Sequence, residues 1–372
     1  MEIVEKGKLA KEAAAQLALT PTKQKNHALE LIAAGLKKNS AKILEANSID
    51  LKTGTNLDRL TLNEKRINDM IEGVKLVSRL VDPVGEVLAQ WTRPNGLKIK
   101  KVRVPLGVIG IIYEARPNVT VDSAVLCLKA GNAVILRGGS DAINSNIELT
   151  KIITDAVVAT GLHPNTVQLI EEAGRKAAEE LMKARDYVDV LIPRGGKNLI
   201  QSVIKNSTIP VIETGEGNCH AYVEKTADLK KAVEIVYNAK VSRPSVCNAI
   251  ETLLIDEAIA DQFLPLVKKR LDQAGVELRW DEEAWKTEFL DLILAVKIVS
   301  GVGEAIAHIK KYGTKHSETI STRDKKAAKK FQAEVDAAAV YVNASTRFTD
   351  GFEFGFGAEI GISTQKLHAR GP

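Results

Sequence analysis

Cys247 is the residue of this sequence best placed to act as a nucleophile. It lies where a polar, turn-like stretch, Ser242-Arg243-Pro244-Ser245-Val246, meets an apolar run from Ala249 to Ile255. The thiolate is the reactive form, and a nearby cation or helix N-terminus lowers the thiol pKa from about 8.5 toward roughly 3.5 to 7.5. Arg243 is a candidate for that cation. The alternative is that Cys247 is a small, inert, buried residue, which is the commoner use of a cysteine.

Two other polar side chains have the chemistry to assist an acyl transfer. Asn118 follows Pro117 at the end of a predicted strand, where a preorganised amide would stabilise a developing oxyanion. The same spacing also fits an asparagine that closes the turn or caps a helix beginning near Val119. Glu213 is either a base near the thiol or a strand-end carboxylate in a salt bridge. The sequence alone does not decide between these alternatives.

Two glycine pairs each follow a predicted strand and lie beside basic side chains. Such a turn either connects a strand tightly to a helix or brings backbone N–H groups to a nucleotide phosphate. If a dinucleotide binds there, Arg137 and Ser140 favour an extra ribose phosphate, and hence NADPH over NADH, whereas Asp141 would oppose it. The pairs are Gly138-Gly139, between Arg137 and Ser140, and Gly195-Gly196, between Arg194 and Lys197.

The composition argues against several classes of function. The 372 residues carry a net charge of +5 with only 4% aromatic residues, whereas a nucleic-acid binder needs a basic stripe with interleaved aromatics. Three widely separated cysteines and the absence of a metal-ligand spacing predict neither disulfides nor a metal site. No apolar run approaches the roughly 18 residues that span a membrane. The N-terminal residues lack the order of a signal peptide, so we expect a cytoplasmic protein without a membrane anchor.

Strands and helices alternate after a mostly helical first hundred residues. Asn95-Gly96 between two alternating runs predicts a β-hairpin arm at about 88–104, whose exposed edge is suited to pairing with another subunit. The later alternation predicts parallel sheets with helices on both faces, with ligands bound beyond the carboxyl ends of the strands. Strands are predicted at 106–113, 133–136, 167–170, 188–192, 209–212, 250–255, 292–299, 318–321 and 339–342.

Several sequence blocks resemble the gamma-glutamyl phosphate reductase family of the aldehyde dehydrogenase superfamily. The resemblance runs through nearly the whole chain. It implies an aldehyde dehydrogenase-like fold with two doubly wound α/β domains and a β-hairpin oligomerisation arm. We therefore predict an NADPH-binding domain at 1–225, to which 351–372 returns, and a catalytic domain at 226–350. The blocks are 104–110, 113–120, 213–220, 243–248, 313–318 and 341–351.

The resemblance also implies roles for individual residues. Cys247 matches the nucleophile and Asn118 the oxyanion-hole amide. Glu213 falls where hydrolytic relatives keep a general base, and Glu288 where they keep a carboxylate near the nicotinamide ribose. Arg137 matches the adenosine-ribose lysine of those relatives, with Gly138, Gly139, Ser140, Gly195 and Gly196 as further cofactor-binding candidates. The candidates for holding the substrate phosphate, carboxylate and ammonium are Arg116, Arg243, Ser345, Arg347 and Asp350.

The implied reaction is the NADPH-dependent reduction of L-glutamyl 5-phosphate to L-glutamate 5-semialdehyde and phosphate. It proceeds through a thioester on Cys247 and is the second step of proline synthesis from glutamate. Family members usually continue beyond Pro372 and pair subunits there, so the resemblance implies a homo-oligomer where this end permits it. Two alternatives stay open: an NAD-dependent aldehyde dehydrogenase that hydrolyses its thioester through Glu213, and a catalytically silent partner of a glutamate kinase.

Overall fold

The computed structural model describes residues 2–55, 57–172 and 174–366. They form two compact units. Unit 1 contains the described residues up to Glu213 together with Gly355–Gly361, and unit 2 contains Thr214–Phe354 and the described residues from Ile362 onward. The predicted division after residue 225 falls too late, because strand 219–223 pairs inside the sheet of unit 2. The sequence of this strand does not reveal which unit it belongs to, because an apolar strand fits either sheet.

Unit 1 begins with helices that bury one apolar face each. In α2, for example, Leu29, Ile32 and Leu36 follow helical spacing and are fully buried. Across the described residues, no helix combines the length and the apolar character that crossing a bilayer requires. The helices are α1 (Glu2–Leu17), α2 (Thr22–Lys38), α3 (Ser40–Asp50), α4 (Leu57–Leu60) and α5 (Glu64–Arg79).

The predicted hairpin is confirmed. Strands β1 (Val87–Thr92) and β2 (Lys98–Val102) pair antiparallel, and the Arg93 N–H donates to the Leu97 carbonyl oxygen at 2.9 Å across the turn. Gly96 has a φ of +85°, a left-handed conformation that glycine adopts without strain. Nearly every residue of the two strands is exposed.

The sheet of unit 1 has four parallel strands in the order β5-β4-β3-β6. Its strands read as continuous apolar runs because both faces are covered by helices. The predicted strand at 209–212 is wrong: Val211 makes only an isolated bridge with Leu191, and Pro210 has no N–H to extend the pairing. The strands are β3 (Val108–Tyr113), β4 (Ala133–Arg137), β5 (Val167–Leu169) and β6 (Val190–Arg194), and the helices α6 (Pro117–Lys129), α7 (Ile143–Ala159), α8 (Arg175–Met182) and α9 (Lys197–Asn206).

The sheet of unit 2 has six parallel strands in the order β12-β11-β7-β8-β10-β9. Helices connect most successive strands, which confirms the predicted α/β class. The strands are β7 (Cys219–Val223), β8 (Ile250–Asp256), β9 (Glu277–Arg279), β10 (Ile293–Val299), β11 (Ser317–Ser321) and β12 (Ala339–Val342), and the helices α10 (Leu229–Val241), α11 (Ala260–Asp272), α12 (Glu282–Trp285), α13 (Val302–Tyr312) and α14 (Lys325–Glu334).

Candidate active site

Cys247 lies in the loop of unit 2 that joins α10 to β8, and it differs from the other two cysteines in its exposure. Its side chain is half-buried, whereas Cys127 and Cys219 are buried. Burial raises the pKa of Cys127 to about 12. Burial, assisted by the charge of Glu318, raises the pKa of Cys219 well above its ordinary value. Of the three thiols, only that of Cys247 has the partial exposure that a nucleophile needs.

The Cys247 loop is held at both ends by Arg347, from the turn after β12. The Arg347 Nε donates to the Ser242 hydroxyl at 3.3 Å, and its Nη1 donates to the side-chain oxygen of Asn248. Ser242 is the first residue after α10 and Asn248 follows Cys247 directly. A planar guanidinium with several fixed donors is suited to such a bridge.

The electrostatics around Arg347 show which charges are near it. The pKa of Arg347 is lowered overall, and burial is the main cause. The cation of Arg243 also lowers it, whereas Asp350 and Cys247 act in the opposite direction. The structure therefore brings together four residues that the sequence predicted for the site. A cation beside a thiol favours the ionised form of that thiol, and the two arginines together would attract a phosphate group.

Asn248 and the turn after β12 are joined by two further hydrogen bonds, one from the side chain of Asn248 and one to its backbone. The Asn248 Nδ2 donates to the Thr349 carbonyl oxygen at 2.8 Å, and the Thr346 hydroxyl donates to the Asn248 carbonyl oxygen at 2.6 Å. Ser345, predicted to bind substrate, is buried, and its hydroxyl oxygen accepts from the Arg347 N–H at 3.2 Å. In this structure Ser345 caps the turn that carries Arg347.

The peptide of Cys247 packs against Gly217 and Cys219, which precede or begin β7. The Cys219 thiol donates to the Cys247 carbonyl oxygen at 3.1 Å. A Cβ atom built on Gly217 would lie 1.5 Å from that oxygen and 2.6 Å from the Cys247 Cα. Only glycine allows this approach of two backbones, so the position of Cys247 depends on residue 217 having no side chain.

Gly217→Ala is expected to lower kcat by about 100-fold or more, because the added methyl group must displace the Cys247 peptide and a displacement near 1 Å can have that effect. Gly303→Ala is the matched control, since Gly303 lies in α13 with no atom near its Cβ position. We expect its kcat to stay within about twofold of the starting value. The rate at which iodoacetamide alkylates Cys247 should change in the first variant only. A Gly217→Ala enzyme with unchanged kcat would contradict this role.

Glu288 is anchored beside the same glycine. Its Oε1 accepts from the Gly217 N–H at 2.7 Å. Two residues later, the Leu290 N–H donates to Glu251 Oε1 at 3.1 Å, and Glu251 forms a fully buried ion pair with Lys240 at 2.6 Å. Leu290 has a φ of +55°, which costs free energy for a branched side chain and is maintained by these contacts. The carboxylate predicted for the nicotinamide ribose thus lies within hydrogen-bonding reach of the glycine that positions Cys247.

In unit 1, Arg137 and Ser140 lie at the carboxyl end of β4, as predicted. Arg137 is half-buried and its Nη2 donates to the Gly174 carbonyl oxygen at 3.0 Å. Burial lowers its pKa, and Tyr113 acts in the opposite direction. The carboxylate of Asp141, which would oppose a ribose phosphate, accepts from the N–H and hydroxyl of Thr55 at 3.2 and 3.0 Å. The other oxygen, Oδ1, accepts from the Ser140 hydroxyl at 3.4 Å, so both oxygens of Asp141 are bonded within unit 1.

The second glycine pair follows β6 and packs on Glu114, which follows β3. The Gly196 N–H donates to Glu114 Oε2 at 3.1 Å, and a Cβ on Gly195 would lie 2.7 Å from the Glu114 carboxyl carbon. Strand β3 pairs with both β4 and β6, so both glycine pairs lie at the carboxyl edge of one sheet. That edge is where open parallel sheets bind nucleotides.

Asn118 lies in the first turn of α6 and is exposed. The helix begins at Pro117, with Arg116 as its N-cap, so the alternative of Asn118 as the cap of a helix beginning at Val119 is wrong. Proline is well suited to the first helical position because no hydrogen bond is lost there. The Asn118 Nδ2 donates to Asp122 Oδ2 at 3.0 Å, one turn later.

Two further residues, Glu213 and Arg116, were predicted for the site. Glu213 is half-buried at the end of unit 1, and Arg116 is half-buried at the start of α6. Their proposed roles as base and substrate ligand stay predictions. Within the described part of the chain, no three or more His, Cys, Asp or Glu side chains are arranged to hold a metal ion.

Three residues of the site were not predicted from the sequence: Gly217, Asn248 and Asp122. Asn248 was adjacent to the nucleophile, and Asp122 stands four residues after Asn118, a spacing that places two helical side chains side by side. Those two signals were readable. Nothing in the sequence relates Gly217 to Cys247, because the contact depends on the pairing of β7 with β8.

Comparison with known proteins agrees with the geometry. The model of the aldehyde dehydrogenase family matches residues 2–285. The chain is 57% identical over 393 positions to the gamma-glutamyl phosphate reductase of Moorella thermoacetica, covering 100% of this chain and 94% of the relative. It is 59% identical to that of Carboxydothermus hydrogenoformans, with the same coverage.

Solved structures show the same relationship. The crystal structure of gamma-glutamyl phosphate reductase from Thermotoga maritima superimposes with a TM-score of 0.96 at 51% identity, covering 100% of this chain and 95% of that one. An acetylating aldehyde dehydrogenase from Geobacillus thermoglucosidasius, 19% identical, gives a TM-score of 0.70 over 96% of this chain. The second similarity concerns the fold alone.

Proposed function

We propose a reaction for this chain, which belongs to the gamma-glutamyl phosphate reductases of the aldehyde dehydrogenase family: it reduces L-glutamyl 5-phosphate to L-glutamate 5-semialdehyde with NADPH, through a thioester on Cys247. Membership makes it an oxidoreductase of proline biosynthesis with a nicotinamide cofactor. The observation that carries the proposal is the half-buried Cys247 thiol in the electrostatic range of Arg347, which is itself in the electrostatic range of Arg243.

Cys247 acts first as a nucleophile. Its thiolate attacks the acyl carbon of the substrate, a C–S bond forms, the carbon–oxygen bond to phosphate breaks, and inorganic phosphate leaves. Arg243 and Arg347 stabilise both the thiolate and the departing phosphate by their charge. Asn118 has the amide donor that this chemistry requires for the developing oxyanion.

Cys247 acts again as a leaving group. When bound, NADPH supplies a hydride to the thioester carbon. The C–S bond then breaks, the thiolate of Cys247 is restored and the semialdehyde is released. A thiol suits both steps because sulfur attacks acyl groups readily and leaves the carbonyl electrophilic.

The choice of NADPH rests on the carboxyl edge of the unit 1 sheet. Arg137 and Ser140 lie there with polar atoms suited to a ribose phosphate, and Gly138 and Gly139 form the turn between them. Asp141, the nearby carboxylate, is already bonded to Thr55. Glu288 of unit 2 has the acceptor oxygens for ribose hydroxyl groups. The residues of unit 1 have the chemistry for the ribose phosphate of the cofactor, and Gly195 and Gly196 are candidates for its phosphates.

The reverse reaction tests the proposal. Purified protein with pyrroline-5-carboxylate and NADP⁺ should form NADPH only when inorganic phosphate is present, and NAD⁺ should be a poorer acceptor. Phosphate is required because it must displace the thiolate from the thioester. Oxidation of aldehydes without phosphate would contradict the proposal and favour hydrolysis through Glu213. A folded protein that binds glutamate kinase but shows no turnover would favour the silent partner.

We also propose that the β1–β2 arm pairs with another subunit in the cytoplasm. The arm exposes Val87, Leu88, Trp91, Leu97 and Val102, an apolar surface that a monomer rarely presents on a hairpin. Sedimentation at micromolar concentration tests the pairing, and a monomeric species would contradict it.

A further inference from the structure

The side-chain hydrogen bond between Asn118 and Asp122 gives the amide a defined orientation. The two residues are four apart in the first turns of α6, and the Nδ2–Oδ2 distance is 3.0 Å. An amide has a donor end and an acceptor end of the same shape, so packing alone distinguishes them poorly. An ionised carboxylate only accepts hydrogen bonds, and it therefore selects the donor end.

That selection matters for an oxyanion. The Asn118 Nδ2 has two hydrogens, of which Asp122 takes one and leaves the other for a ligand. If the amide rotated by half a turn, its oxygen would face the developing negative charge and repel it. The exposed position of Asn118 offers little steric resistance to this rotation.

We infer that Asp122 is a positioning residue for the reduction, holding the Asn118 amide so that its N–H, rather than its oxygen, is available to the substrate oxygen. The inference rests on the proposed function, because it assigns Asp122 a part in the same oxyanion site. Asp122 does not itself touch the reacting atoms in this role.

The surroundings of Asp122 make its protonation state relevant. Burial raises the pKa of Asp122 to about 7, against the hydrogen bond from Asn118 and the charge of Arg194, which lower it, while Glu359 raises it further. Arg194, at the end of β6, and Glu359, in the segment 355–361, form an ion pair at 3.5 Å. Below about pH 7 a protonated Asp122 can donate to the amide oxygen, and the selection of the donor end is lost.

The sign of the pH effect follows. The ionised form of Asp122 performs the positioning, so its contribution to kcat is present above about pH 7 and disappears as the pH falls through that value. Replacing Asp122 with asparagine removes the titration, because the new side chain has the same shape and no ionisable group. Such a variant can both accept and donate at every pH.

The experiment compares kcat of the unaltered protein and of Asp122→Asn from pH 5.5 to 8.5, with saturating NADP⁺, phosphate and pyrroline-5-carboxylate. The titration of phosphate affects both proteins equally. The effect of Asp122 is therefore isolated by the ratio of kcat for the unaltered protein to kcat for Asp122→Asn. We expect a ratio near one at pH 5.5 that rises to about tenfold above pH 8. Asp155→Asn is the control for a lost charge, because Asp155 is exposed on α7, and its ratio should stay near one.

A double-mutant cycle separates positioning from folding. With Asn118→Ala already present, Asp122→Asn should change kcat by less than about twofold at any pH, since no amide is left to orient. A ratio that is constant with pH, or an equal effect of Asp122→Asn without Asn118, would overturn the inference. Absence of turnover in the unaltered protein would instead defeat the proposed function on which the inference rests.

Discussion

Cys247→Ala is expected to lower kcat by about 10⁴-fold or more, because no thiolate remains to form the thioester. Cys247→Ser should lose nearly as much, since a hydroxyl ionises poorly and an oxygen ester accepts hydride less readily than a thioester. The measurement is phosphate-dependent NADPH formation from pyrroline-5-carboxylate. Cys127→Ala is the matched control, because Cys127 is buried in unit 1. Its kcat should stay within about twofold of the starting value.

Intact-mass spectrometry gives an independent readout of the same prediction. When the protein is mixed with glutamyl phosphate and no cofactor, then quenched in acid, one glutamyl adduct per chain should accumulate. The adduct should map to Cys247 and be absent from Cys247→Ala. An adduct that persists in that variant, or on Cys219, would show that another group forms the covalent intermediate.

Glu251→Ala is expected to lower the free energy of unfolding by about 3–5 kcal/mol. Glu251 and Lys240 are both fully buried, so removing the carboxylate leaves the ammonium of Lys240 without its charge partner inside unit 2. The Leu290 N–H also loses its acceptor. Urea unfolding followed by circular dichroism measures the loss.

Two comparisons make this stability prediction specific. Asp272→Ala removes one partner of the Lys268–Asp272 ion pair, whose side chains are 56% and 51% exposed, and should cost less than about 1 kcal/mol. The double change Lys240→Met with Glu251→Leu should recover much of the loss, because neither charge is then buried. Equal costs for the buried and exposed changes would contradict the account.

The regular elements were largely readable from the sequence because their signals are local. The Asn95-Gly96 turn and the flanking alternation predicted the arm, and strand 250–255 was predicted close to where β8 lies. The predicted elements are wrong where the pairing with a neighbouring strand decides the structure. The segment 209–212 is apolar enough for a strand, but Pro210 limits its pairing, and β7 was not assigned to the second sheet, in which it lies between β11 and β8.

Residue chemistry and local spacing by themselves determined the α/β class and the hairpin arm, and they placed the candidate nucleophile Cys247 close to one cation, Arg243, since those features depend on residue type and on neighbours close in the chain. Only the tertiary structure decided what positions them. Gly217 meets Cys247 through the pairing of β7 and β8, Arg347 reaches Ser242 from the turn after β12, and Glu288 meets Gly217 from a separation of 71 residues. Such contacts depend on which strands become neighbours, and strand pairing is a property of the whole buried sheet rather than of any one segment.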